Sequence, residues 1–113
     1  MSARRAYQAR PLSAEGFDRL VINIHESLKG VESTIKQREI GFLALLGAYP
    51  TATGRILEIG AFKGASTIVL STAAHAVGDD YIWTADPFSN PCEGALPEGT
   101  SYPEFLNNLR RAG

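Results

Sequence analysis

The 113-residue chain has one cysteine, Cys92, so no internal disulfide can form and nothing requires an oxidising compartment. It lacks any run approaching the roughly 18 consecutive apolar residues of a membrane span. The first twelve residues are charged and polar and lack the apolar stretch of a secretory signal. It also lacks an excess of charge of either sign: 11 basic against 12 acidic residues give a formal net charge of -1. No long basic run is present to follow a phosphate backbone, which argues against duplex nucleic acid as a partner. Arg4, Arg5 and Arg10 cluster in the leader and read as a solvated tail. No internal repeat or low-complexity segment occurs. These absences favour a cytoplasmic protein with no membrane partner.

What is present is ordinary globular composition, 44% hydrophobic and 20% charged, in a chain of single-domain size. Ser13 is placed to cap a helix with Glu15 in its first turn, and Phe17, Leu20, Val21, Ile24 and Leu28 form one apolar face. Gly30 is its stop, and His25 flanks the stripe as a structural residue. Thr34 and Gln37 have capping-box spacing for a second helix to about Ala48, with Ile35, Phe42, Leu43 and Leu46 as its apolar face. Tyr49 to Gly54 reads as a connector.

Residues 55–59 form a short β-branched run suited to a buried parallel strand. Gly60 to Gly64 makes a turn. From Ala65 the pattern turns helical, with Ile68, Val69, Thr72, Ala73 and Ala76 on one face and Gly78 closing it. His75 near its end reads as compensating the helix dipole. Asp79-Asp80 forms a turn, and residues 81–86 read as a second strand with Trp83 in the core. The result is a βαβ unit with parallel strands and a right-handed crossover. Residues 87–100 lack periodicity and read as a long loop, with Cys92 a bystander in it. Ser101 and Glu104 then introduce a last helix with Phe105, Leu106 and Leu109 on its apolar face, ending at Ala112 before Gly113.

Chemistry concentrates at Glu58-Ile59-Gly60-Ala61-Phe62-Lys63-Gly64-Ala65-Ser66-Thr67, followed by Asp86. A strand running through glycines into a helix presents backbone amides and a positive dipole end at one point. Gly60 permits a sharp turn, and Gly64 permits close packing of the helix start. Asp86 stands about 20 residues beyond the turn, where doubly wound folds place an acid that accepts from ribose hydroxyls. A dinucleotide fingerprint needs a second glycine where Phe62 stands, and a pyrophosphate would be repelled by Glu58. The same carboxylate suits a cationic ligand. The simpler readings are a solvated strand-end carboxylate at Glu58, a turn-starting Asp86 before Pro87, and a solvated Lys63.

Glu58-x-Gly60-x-x-x-Gly64 resembles the first motif of class I S-adenosylmethionine-dependent methyltransferases, in a variant with two of the usual three glycines. The run through Ser66-Thr67 and then Thr84-Ala85-Asp86-Pro87-Phe88 is similar to a subgroup related to macrolide-sugar O-methyltransferases, over residues 33–113. The resemblance implies an α/β, Rossmann-like doubly wound parallel sheet that is incomplete here: two N-terminal helices, then β-α-β and a further helix. Residues 1–12 would be a polar leader, 13–54 the N-terminal helices, and 55–113 the first part of the methyltransferase domain. Glu58 would organise the methionine end of S-adenosyl-L-methionine, with Gly60 and Gly64 shaping the turn and Ala61 and Phe62 lining the methionine. Ser66 and Thr67 would reach the ligand carboxylate or cap their own helix. Asp86 would hold the ribose, with Pro87 and Phe88 beside the adenine.

The resemblance also implies a small-molecule methyl acceptor, with oxygen the expected atom, and no metal ligand or catalytic base within these residues. On this expectation the chain is a fragment, a truncated product or a partner-completed module that alone transfers no methyl group. Its exposed sheet edges would allow self-association. Two alternatives stay open: an NAD-type nucleotide-binding segment, and a non-catalytic interaction module.

Overall fold

The computed structural model describes residues 12–50, 55–78, 82–87 and 102–113. The described residues form a mixed α/β structure of four helices and one two-stranded parallel sheet. In chain order these are α1 (Ala14–Ser27), α2 (Gln37–Ala48), β1 (Ile56–Ile59), α3 (Ala65–Ala76), β2 (Ile82–Ala85) and α4 (Tyr102–Ala112). The expected leader, the Asp79-Asp80 turn, Phe88, Cys92 and Ser101 lie outside the described residues, apart from Leu12 at the leader's end.

Helix α1 begins as its sequence predicts. Ser13 is extended, and its Oγ accepts from the Gly16 amide at 3.0 Å, satisfying one of the orphan donors of the first turn. Leu20 and Ile24 are buried, with Phe17, Val21 and Leu28 packed around them. The shared core joins these to Ala44 and Ala48 of α2, to Val69 and Ala73 of α3, and to Val77 just beyond it. The N-terminal helices and α3 therefore bury one common interior.

Helix α2 departs from expectation at both its start and its face. It starts at Gln37 with Lys36 as cap, and the Glu39 carboxylate accepts from the Lys36 amide at 2.6 Å. An ammonium cannot accept in return, so only half a capping box exists, and the Thr34–Gln37 pair does not form one. The buried face is Ala44, Gly47 and Ala48, while Phe42 and Leu46 are exposed. Close approach decides this. A Cβ on Gly47 would lie 2.8 Å from the Ala73 Cβ, so α2 lies on α3 through its smallest residues.

Helix α3 is buried more widely than one stripe. Ala65, Thr67, Ile68, Val69, Leu70, Ala73 and Ala74 are covered, and Ala76, expected inside, is exposed. A helix in contact with α1, α2, α4 and the sheet needs apolar residues around most of its girth.

The strands pair in register Ile56 with Ile82, Leu57 with Trp83, Glu58 with Thr84, and Ile59 with Ala85. Successive side chains alternate between faces. Glu58 is turned inward to Thr67 on α3, whereas Leu57, Ile59 and Trp83 on the opposite face are 62%, 82% and 59% exposed. The expectations of a buried first strand and a core Trp83 are thus corrected. The Trp83 ring instead lies under the Arg55 guanidinium, 5.9 Å from its centroid. No helix among the described residues is long and apolar enough to cross a membrane.

Candidate functional site

The end of β1 runs directly into the glycine turn. The Gly60 amide donates to the Ala85 carbonyl at 2.8 Å, which closes the strand pair. Gly60 then has φ +86, and Phe62 has φ +49, an unusual value for a bulky side chain. The turn is held in this shape from the neighbouring strand. Asp86, just past β2, accepts through Oδ2 from the amides of Ala61 at 2.6 Å and Phe62 at 2.9 Å. These are charge-assisted bonds to consecutive amides, among the stronger kind. Asp86 is therefore more than the start of a turn before Pro87. It fixes the two residues at the crest of the loop, and the exposed Pro87 follows it.

Glu58 is 7% exposed, which removes the reading of a solvated strand end. Its Oε1 accepts from the Thr67 hydroxyl and, at 3.4 Å, from that of Thr84. It forms no ion pair among the described residues. Thr67 is buried and bonded to this carboxylate rather than capping α3. Burying a carboxylate against hydroxyls alone is costly unless a positive group comes close.

The other side of the turn is gripped by α4. Gly64 has φ +97, and a Cβ there would meet the Phe105 ring at 3.2 Å. Its freedom thus serves close packing of the helix start, here against α4. The buried Asn108 amide donates to the Lys63 carbonyl at 2.9 Å. Lys63 is not solvated as expected. Its side chain is 16% exposed, and its Nζ lies 2.5 Å from Glu32, 3.0 Å from Glu104, and 5.3 Å from the Phe62 ring centroid. The carboxylates of Glu32 and then Glu104 hold its pKa above the ordinary lysine value of 10.5.

A cleft of about 460 Å³ opens over the turn. One wall is Gly60, Ala61, Phe62, Ala65 and Ser66; the other is the 33–35 segment with Glu39, Phe42 and Leu43 of α2. The volume falls within the roughly 300–1,000 Å³ common for small-molecule sites. Its lining includes one acid and no basic residue. Of the sequence-predicted residues, Gly60, Ala61, Phe62 and Ser66 line the cleft, Gly64 and Asp86 shape and hold the turn that floors it, and Glu58 and Thr67 bond to each other outside the lining. The second wall was not anticipated, nor were Asn108 and the acids around Lys63. No local pattern marks them, because each reaches the turn from a different element. Among the described residues no group of three or more His, Cys, Asp or Glu could hold a metal ion. No protein-family model, no curated protein and no solved structure matches the chain.

Proposed function

We propose that the cleft binds S-adenosyl-L-methionine, and that these residues are the donor-holding part of a Rossmann-like class I methyltransferase acting on a small molecule, with oxygen as the acceptor atom. The observation that carries this reading is the charge balance of the site. A buried Glu58, two residues before the glycine turn, lacks a cationic partner among the described residues, and the cleft over that turn, which Glu58 itself does not line, has an acidic but no basic lining residue. A ligand with a sulfonium and an ammonium group fits that balance, and a pyrophosphate does not. The turn's crest amides also count against a dinucleotide. A phosphate-binding loop keeps such N–H groups for its ligand, whereas those of Ala61 and Phe62 bond to Asp86.

The bound donor supplies an activated methyl group on sulfur. The chain's part is to hold that donor. Phe62 and the Gly60–Ala61 backbone would flank the methionine portion, and Ser66 would meet its carboxylate at the start of α3. Asp86, with Pro87 and Phe88 after it, would take the ribose and adenine end. Titration calorimetry with S-adenosylhomocysteine and with NAD tests the assignment. Saturable one-site binding of the first alone is expected. Binding of NAD instead would replace this reading with a dinucleotide site. Binding of neither would leave an interaction module.

A further inference from the structure

We propose that Lys63 is a positioning residue that latches the two walls of the cleft together, so that access to the site is governed by its ion pair with Glu32. The latch stands on geometry, and its consequence for ligand access rests on the donor-site reading above.

The wall formed by residues 33–35 belongs to the nine-residue link between α1 and α2. Among the described residues its backbone and hydroxyl bonds are local: the Val31 amide donates to Leu28 and the Ile35 amide to Ser33 Oγ. Among the described residues two polar side-chain contacts join the link to the far side of the molecule, beside the packing of Leu28 on the core. Arg111 donates to the Lys29 carbonyl at 3.3 Å, a long and exposed bond, and Lys63 meets Glu32 at 2.5 Å. Glu32 immediately precedes Ser33, and Lys63 immediately follows Phe62, so the pair bridges one cleft wall to the other at adjacent residues.

The lysine is suited to this. Its side chain is mostly covered and its ammonium is also bonded to Glu104, and its backbone carbonyl is held by Asn108. The lysine's backbone is fixed on α4 by the buried Asn108, while the carboxylates of Glu32 and Glu104, 67% and 58% exposed, are the ends that can leave, and only the Glu32 contact joins the two walls. Because the Glu32 carboxylate is well solvated, the pair is weak enough to open often and sensitive to salt. Opening would release residues 31–36 from the turn while leaving the turn itself under Asp86 and Asn108.

Hydrogen–deuterium exchange on the ligand-free full chain tests the latch without reference to the donor. In Glu32→Gln and in Lys63→Met, amides of residues 31–36 should exchange about two- to five-fold faster, with α3 unchanged. Lys63→Arg should restore most of the protection. Raising salt should speed exchange of the same amides in the wild type but not in Glu32→Gln. Unchanged exchange at 31–36 in both charge-removing variants overturns the proposal. Equal acceleration throughout the chain in both also overturns it, since the pair would then be a general stabiliser. Stopped-flow binding of S-adenosylhomocysteine gives the second readout: faster release in Glu32→Gln supports control of access, and unchanged release removes it. If the wild type binds no S-adenosylhomocysteine, the donor reading fails while the exchange result still decides the latch.

Discussion

A carboxylate at 7% exposure whose donors among the described residues are two hydroxyls is a site where stability and binding should pull in opposite directions. Glu58→Gln keeps an oxygen to accept from Thr67 and removes the buried charge. Its melting temperature should equal or exceed that of the wild type, while affinity for S-adenosylhomocysteine falls by about ten-fold or more, read by calorimetry. Thr67→Val keeps the shape and removes a donor to the charge. It should cost about 1–3 kcal/mol in urea unfolding, and distinctly less when placed on Glu58→Gln. Equal costs in the two backgrounds would show that Thr67 acts by packing alone. If Glu58→Gln melts well below the wild type, the carboxylate is a structural group rather than a waiting partner for a cation.

At the scale of elements, helix α2 offers two glycines that the fold treats oppositely. A Cβ on Gly41 meets nothing within 4 Å, so Gly41→Ala should stabilise by about 0.5–1 kcal/mol through helix propensity. A Cβ on Gly47 would stand 2.8 Å from the Ala73 Cβ and 3.2 Å from the Leu70 carbonyl, neither of which can swing aside. Gly47→Ala should therefore cost about 1–3 kcal/mol, and the two single variants should shift thermal melting in opposite directions. The same pair explains why α2 was legible as a helix but not in its orientation. Its large apolar residues outnumber those that can be buried, and contact went to Ala44, Gly47 and Ala48, which no hydrophobic periodicity singles out. Helix α1 was legible to its cap, because Ser13 and a regular stripe carry the same message. The site divides likewise. Glu58, the glycines and Asp86 follow from a strand–turn–helix order written consecutively in the chain. The 33–35 wall and the grip of Phe105 and Asn108 depend on how distant elements meet.

For the molecule as a whole, the Lys63 cluster sets an alkaline limit. Its folded pKa is raised above 10.5 by Glu32 and Glu104, so protonation favours the native state. That contribution is complete below the unfolded lysine value and is lost as pH rises through the higher folded one. As pH rises above about 10.5 the wild type should lose more stability than Lys63→Met, and their urea midpoints should converge. A constant gap across that range would show that the lysine stabilises through its aliphatic stem. The sheet raises a different issue, because both of its strands carry large apolar residues on one outward face. Leu57, Ile59 and Trp83 lie side by side there, and an uncovered apolar face of a short sheet binds hydrophobic dyes and promotes association. Ile59 is 82% exposed, so Ile59→Lys removes little packing and should change unfolding free energy by no more than about 0.5 kcal/mol. Native-state anilinonaphthalene sulfonate fluorescence should fall in the variant, and sedimentation velocity should show less concentration dependence. A large loss of stability in Ile59→Lys, with dye binding unchanged, would mean that this residue is covered in solution and that the face is closed by other parts of the chain or by a second copy.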